Sequence, residues 1–284
     1  QMCIRDRVNA LRFEEGSDLH RNIYELIGVW ATYRYRNGRY QPVWFYVPMR
    51  ATSGLVYDGP ILYQTLANNG TCTEGEYIGG SPEKCQFTAG HVRVTFAGSN
   101  NNSEADVEWH LNMPGMPVVD SMMQHITPLA SSVAGSTAAD NHVDFQSGWW
   151  WSRNGSGLDE SFAYMVQIHK DIEFDHVIFF DDQGEPIWIN AQRSVDPENS
   201  NSVSFSGTQL RYPHTGYAPG MLDQDYQQVD LSTSSLSRSF DPITVGHSRS
   251  GQFSASIDVN HEGRTASLNK NTAMIKVVNF FDVD

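Results

Sequence analysis

Gly38-Arg-Tyr-Gln-Pro-Val-Trp44 and Gly184-Glu-Pro-Ile-Trp188 are two versions of one phrase. An aromatic run precedes the glycine each time: Trp30, Tyr33 and Tyr35 before the first, Phe179 and Phe180 before the second. A glycine turn that feeds an aromatic segment suits a hairpin on a pleated surface. The match continues. Tyr57-x-Gly59-x-x-Leu62 returns as Phe205-x-Gly207-x-x-Leu210, and Ala89-Gly-His-Val-Arg93 returns as Val245-Gly-His-Ser-Arg249. The spacing between copies grows steadily along the chain, as loop insertions in the second copy would make it. An internal repeat of this length sets domain count and fold class before anything else does.

Strand patterns dominate the rest. Val92-Arg-Val-Thr-Phe96, Asp106-Val-Glu-Trp-His-Leu111 and Phe253-Ser-Ala-Ser-Ile-Asp-Val259 alternate with period two. Val43-Trp-Phe-Tyr-Val47 and Val177-Ile-Phe-Phe180 are dense aromatic and β-branched runs. Turn residues punctuate them at Asn37-Gly38, Asn68-Asn-Gly70, Asp182-Gln-Gly184 and His261-Glu-Gly263. No stretch carries a capped helical stripe. The expected fold is all-β: two tandem antiparallel meander barrels or barrel-like sheets of about eight strands each.

The first repeat is expected at 8–127 and the second at 147–284. Between them 128–146, rich in Ala, Ser and Gly, reads as a linker. The second repeat divides into strands near 147–152, 160–169, 172–181, 186–193, 202–212, 248–258, 264–269 and 273–281, with 213–245 as a long polar excursion. It opens on Gly148-Trp149-Trp150-Trp151 and Gly155-Ser-Gly157, whereas the first keeps only Gly16-Ser-Asp18. The first repeat is therefore expected to be shortened at its start. Gln1 to Arg7 resemble translated sequencing-adapter sequence and are set aside.

The chain has 284 residues, 39% of them hydrophobic and 12% aromatic, enough for two cores. Its formal charge of −14 repels a phosphate backbone, which argues against nucleic-acid partners. No apolar run is long enough for a transmembrane helix. Setting aside Cys3, the cysteines are Cys72 and Cys85, which flank a polar, glycine-rich segment. We expect them to be bonded, closing a loop worth about 3 kcal/mol, in an oxidising compartment. No further ligand is spaced to share a metal with them.

Gly148-Trp-Trp, Gly155-Ser-Gly157, Phe180-Asp-Asp-Gln-Gly-Glu-Pro-Ile-Trp188, Phe205-Ser-Gly207 and Val245-Gly246 together resemble the "GWW…SG…YDxxGxPxW" repeats of uncharacterised bacterial envelope or secreted proteins. The resemblance covers most of 147–284 and, more weakly, 16–127. It departs where the first copy lacks the tryptophan opening and carries two extra residues between Gly38 and Pro42. It implies a β-rich, often tandem, exported module in the periplasm, at the cell surface or secreted, and it carries no reaction. A meander with this opening is also similar, in architecture alone, to lipocalin- and avidin-like barrels.

Trp149, Trp150, Trp151, Trp44 and Trp188 are the candidate ligand-binding residues, as stacking platforms for a sugar or other ring. In a strand Trp149 and Trp151 share one face and Trp150 takes the other. Asp181-Asp-Gln-Gly-Glu185 is too short for a twelve-residue calcium loop and reads as turn chemistry. His169 and His176, with Asp171 or Asp175, are close enough in sequence for a metal, but hairpin histidines are ordinary surface residues. There is no Gly-x-Ser-x-Gly, phosphate loop, dinucleotide fingerprint or zinc motif. We therefore expect no catalytic residue, metal or cofactor. The leading expectation is an exported binding module for a small molecule, a glycan or an envelope protein. The alternatives are a carbohydrate-directed hydrolase using a carboxylate pair and a structural spacer.

Overall fold

The structure is a computed structural model. It describes residues 26–36, 38–80, 82–97, 105–116, 119–126, 148–154, 157–169, 172–194, 202–215, 226–241, 250–261 and 263–279. The expected linker, 128–146, lies outside them. The described residues hold strands and turns and no helix.

Among the described residues seven strands precede the expected linker: β1 (Leu26–Arg36), β2 (Arg39–Ser53), β3 (Val56–Leu66), β4 (Glu76–Gly79), β5 (Lys84–Phe96), β6 (Ala105–Leu111) and β7 (Val119–Ile126). They form an antiparallel meander in the order β1-β2-β3-β5-β6-β7, and β4 is a short flap on the start of β5. Alternation sends Val43, Phe45, Val47 and Met49 of β2 into a core with Ile61, Val94 and Leu111.

Ten strands follow: β8 (Gly148–Asn154), β9 (Gly157–His169), β10 (Ile172–Phe180), β11 (Pro186–Ser194), β12 (Ser202–Ser206), β13 (Leu210–Thr215), β14 (Tyr226–Asp230), β15 (Ser235–Phe240), β16 (Ser250–His261) and β17 (Arg264–Asn279). β12 and β13 behave as one interrupted strand against β14 and β15, because Ser202↔Ser239 and Arg211↔Asp230 share one register. Counted so, eight strands run up and down, and β17 returns to pair with β8. The result is a nearly closed antiparallel barrel. Its thinnest joint is β11 with β13, held by Asn190↔Arg211 and Ala191↔Leu210. Closure hides the row of unpaired backbone groups that an edge would expose.

Eight strands match the expected number, but two of the expected divisions do not hold. The stretch 213–245 is not an excursion: it contains β14 and β15. Leu236, Arg238 and Phe240 of β15 point inward between serines, a period-two pattern that its polar composition disguises. Conversely, 264–269 and 273–281 are not two strands, since β17 runs unbroken through both stretches as far as Asn279. In the third sequence echo, Gly90-His91 lies within β5, which pairs with β3, and Gly246-His247 falls outside the described residues.

Gly59 shows why one echoed glycine is needed. A Cβ there would lie 1.9 Å from the Pro48 carbonyl oxygen and 2.8 Å from the Met49 Cα. Backbone cannot retreat as a flexible side-chain tip can. Gly59→Ala should therefore lower folding stability by about 3 kcal/mol, read as a fall in the urea midpoint. An unchanged midpoint would show that β2 and β3 approach less closely than described.

Candidate functional site

Two sites collect the unusual chemistry: the seam between the two sheets and a charged cluster inside the barrel. The seam comes first because it absorbs most of the candidate residues. On β2, Val43 and Phe45 face the first core, so Trp44 faces away from it; on β11, Ile187 and Ile189 do the same for Trp188. The two outward faces meet. Trp44, Trp188, Trp149, Val29, Met165 and Phe180 form a third apolar cluster.

The contacts are reciprocal. Trp44 pairs across its hairpin with Ala31, and Trp188 across its own with Ile178. Trp44 Nε1 donates to the carbonyl of Phe179 at 3.1 Å, and Trp188 Nε1 donates to the carbonyl of Thr32 at 3.3 Å. Each acceptor is thus the residue after the other tryptophan's partner. The rings follow suit: Trp44 lies 5.4 Å from Phe180 and Trp188 lies 5.9 Å from Tyr33, both tilted by 58°. Arg264 ties the matched prolines, donating to the carbonyls of Pro42 at 2.8 Å and Pro186 at 2.7 Å while it pairs with Asp181.

The second half's turn also caps the end of the first sheet. Leu66 N donates to Gly184 O at 2.8 Å. The Tyr63 hydroxyl donates to the Glu185 carboxylate. Arg34 donates to the Tyr63 hydroxyl at 3.3 Å, to the Pro114 carbonyl at 2.8 Å and to Glu74 at 3.2 Å. Burial, then the Glu185 charge, pushes the Tyr63 phenol far above its ordinary range. Asp181 holds the turn itself, its Oδ1 accepting from Gln183 N at 2.9 Å and Glu185 N at 2.8 Å. The acidic run is a structural turn, as its length suggests.

These positions decide what the candidate tryptophans can do. Trp150 is 1% exposed in the barrel core, stacked 4.0 Å from Phe240. Trp149 is buried in the seam, and Trp151 is half-buried against it, 6.3 Å from Trp149. The alternation expected of the three is thus the one found. A sugar cannot stack on a ring face that protein already covers, so Trp44, Trp188, Trp149 and Trp150 serve packing. His169 and His176 do not approach: they pair with Ile172 and Met165, which places them four residues apart along the hairpin, about 13 Å. Among the described residues no three His, Cys, Asp or Glu side chains gather as a metal site. Cys72 and Cys85 form a disulfide, as expected.

The charged cluster was not foreseen as a unit. Glu173, Asp175, Val177 and Phe179 alternate along β10, so the two acids share the inward face with the core. Both carboxylates converge on Arg238 of β15: Glu173 is bonded to it directly, and Asp175 Oδ1 lies 3.5 Å from its Nε. Arg193 reaches Glu173 at 2.7 Å, and the Tyr164 hydroxyl donates to Asp175. Asp175 Oδ2 has no hydrogen-bond partner. Burial raises the Asp175 carboxyl well above its ordinary value, and the neighbouring Glu173 charge adds to this against Arg238. Burial pushes Glu173 the same way, but Arg238 and Arg193 outweigh it and leave Glu173 lowered. The two carboxyls are thus pushed in opposite directions, Asp175 toward its protonated form and Glu173 toward its ionised one. The signal was present in the sequence: acids at the two positions of β10 that continue the Val177–Phe179 face must be buried and must find partners.

Such a pair is the raw material of glycoside hydrolysis, but that chemistry needs carboxylates on either side of an accessible bond. Glu173 and Asp175 lie two residues apart on one strand, at 0% and 1% exposure. Fold and sites together define an all-β protein with a nearly closed eight-stranded antiparallel barrel and a second sheet, joined by a tryptophan seam. No family model matches the chain, and neither a curated protein nor a solved structure matches it.

Two outcomes follow from these sites. Trp44→Phe and Trp188→Phe each delete one seam hydrogen bond and leave a smaller aromatic ring in the seam. Each should cost about 1 kcal/mol or somewhat more, since the facing carbonyl is left buried. Denaturant titration of each variant checks this, and a loss confined to one of them would show the seam is not reciprocal. The second outcome is a pH dependence. A raised carboxyl binds its proton more tightly when folded. Its stabilisation is complete below the unfolded value near ~3.9 and is lost as pH rises toward the folded value. Lowered Glu173 does the opposite, losing its contribution as pH falls through its folded value. Asp175→Asn, which cannot ionise, should therefore flatten the decline in stability that sets in as pH rises above the unfolded value near ~3.9. An unaltered slope would show that Asp175 does not hold the proton.

Proposed function

We propose that the chain is an exported, non-catalytic binding module built from two copies of one β unit, and that it meets its partner through the hairpin of β4. The observation that carries this is an imbalance between how firmly that hairpin is held and how little it contributes to either core. None of the four residues of β4 is buried. Yet the segment is clamped by the Cys72–Cys85 bond, by Glu74 on the buried Arg34, and by Ala67 N donating to Glu83 O at 2.9 Å. Gly75 is seated so closely that a Cβ would lie 2.2 Å from the Gln86 carbonyl.

A rigid hairpin that is largely exposed suits an outside contact, because a preorganised surface loses less entropy on binding. The hairpin also carries Tyr77 and Ile78, exposed at 49% and 48%, two of the chain's large exposed hydrophobic side chains. The disulfide favours an oxidising compartment. The reciprocal seam and the matched phrases favour duplication. The sealed state of Glu173 and Asp175 counts against the hydrolase.

A glycan array and an immobilised bacterial envelope-protein fraction test the module. Wild-type protein should bind one of them saturably, and the double variant Tyr77→Ser/Ile78→Ser should bind about tenfold more weakly with an unchanged melting temperature. Undiminished binding by the variant overturns the role of the hairpin. Release of reducing sugar from the arrayed glycans by wild-type protein overturns the non-catalytic reading.

A further inference from the structure

We infer that β4 is an acceptor edge, taking an extended lysine- or arginine-rich segment of a partner protein as an added antiparallel or parallel strand. This rests on the proposed binding module and names its partner class. Among the described residues β4 pairs with β5 alone, through Glu76↔Gln86, Tyr77↔Cys85 and Gly79↔Lys84. Its other side is left with main-chain donors and acceptors that a new strand can use.

Consecutive residues of a strand face opposite ways, and both Tyr77 and Ile78 are exposed. The flap therefore stands in water with two apolar side chains exposed for an added strand to meet. Natural edges are commonly blunted by lysine, proline, a bulge, a short span or a covering element. Glu76-Tyr-Ile-Gly79 carries neither lysine nor proline, and its short span and the register shift between Tyr77 and Gly79 limit an added strand to a few main-chain pairs.

The exposed charge around this edge has one sign, since Lys84, which pairs with Gly79, is buried. Glu76 and Glu83 are exposed, and the Tyr77 hydroxyl is hydrogen-bonded to Glu83. Glu74 is already occupied by Arg34, so the two exposed acids are the ones left to meet a partner. With a net charge of −14 on the whole chain, the field attracts basic segments and repels acidic ones before contact. Main-chain pairing supplies the geometry, and the acids select the sign of charge.

The test uses the full chain and a capped heptapeptide alternating Lys and Val. Two analogues of it are N-methylated, one at the odd and one at the even positions. Only one of those sets presents its N–H groups to β4, so one analogue should lose binding in fluorescence anisotropy and the other should keep it. Glu76→Lys/Glu83→Lys should weaken the parent peptide about tenfold, and raising salt should weaken it in wild type. Equal binding of both analogues, no binding of the parent peptide, or indifference to the charge reversal overturns strand addition. If Tyr77→Ser/Ile78→Ser still abolishes binding to the array or envelope fraction, the module stands and only strand addition falls. The variants are exposed-surface changes, and an unchanged far-ultraviolet spectrum establishes that they fold.

Discussion

Two indole N–H groups, one from each half, find their acceptors only across the seam. Trp44 cannot satisfy its donor within the first sheet, and Trp188 cannot within the second, because each points out of its own core. Left unpaired in a dry interface, each donor would cost about 1–3 kcal/mol. The halves are therefore interdependent. Apolar burial brings the two faces together, and the crossed bonds select one mutual orientation from the many that two greasy sheets could adopt. Arg264 enforces the same choice by holding the carbonyls of Pro42 and Pro186 at once. The first-half side of this joint is built from β1 and β2, and the second-half side from β8 to β11, so the seam depends on correct register in both hairpins. A one-residue slip in either would turn its tryptophan into a core.

The barrel interior obeys a different constraint. A charge buried without a partner is costly, and a buried pair earns little net stability. Glu173 and Asp175 are tolerable because Arg238 serves both and because the count of mobile protons adjusts. Burial pushes Asp175 toward its protonated form, which carries no charge to desolvate. Tyr164 then supplies Asp175 with a donor, while Arg193 completes Glu173 at 2.7 Å. The cluster is a neutralised polar layer within an aromatic core, and it lies beside the Trp150–Phe240 stack, where the Arg238 guanidinium sits 4.2 Å from the Phe240 ring centre. That arrangement fixes how β10 and β15 face each other across the barrel interior, which apolar residues alone would leave permissive.

Legibility in the sequence followed how local the physics was. Strands β2, β5 and β6 of the first half and the hairpin of β10 and β11 were plain, since their aromatic and alternating runs are set residue by residue, whereas β4 lies in a polar, glycine-rich segment that carries no strand pattern. So was the Cys72–Cys85 bond, where loop closure and composition agree. The strand β15 was missed because Ser235-Leu-Ser-Arg-Ser-Phe240 hides an inward arginine in a polar string, and only Glu173 and Asp175, more than sixty residues earlier, explain it. The tryptophans were visible as a matched pair, but their partners are carbonyls in the opposite half, which no spacing within one copy encodes. Glu185 posed the same difficulty. It read correctly as part of a turn, yet its carboxylate is received by Tyr63, a contact that exists only once the halves have docked.

That contact links the seam to the β4 hairpin. Glu185 of the second half meets Tyr63; Tyr63 receives Arg34; Arg34 grips Glu74, two residues from Cys72. Because Arg34 is buried, losing Glu74 would leave its guanidinium undercompensated rather than solvated. The disulfide that fixes the hairpin thus also holds in place an acid on which the charge balance of the docked end depends. Rigidity in the hairpin and cohesion between the halves are two consequences of one buried arginine. A partner that bound β4 and immobilised it further would favour the docked arrangement by the same path, and docking, by ordering Arg34, favours the hairpin conformation that binds.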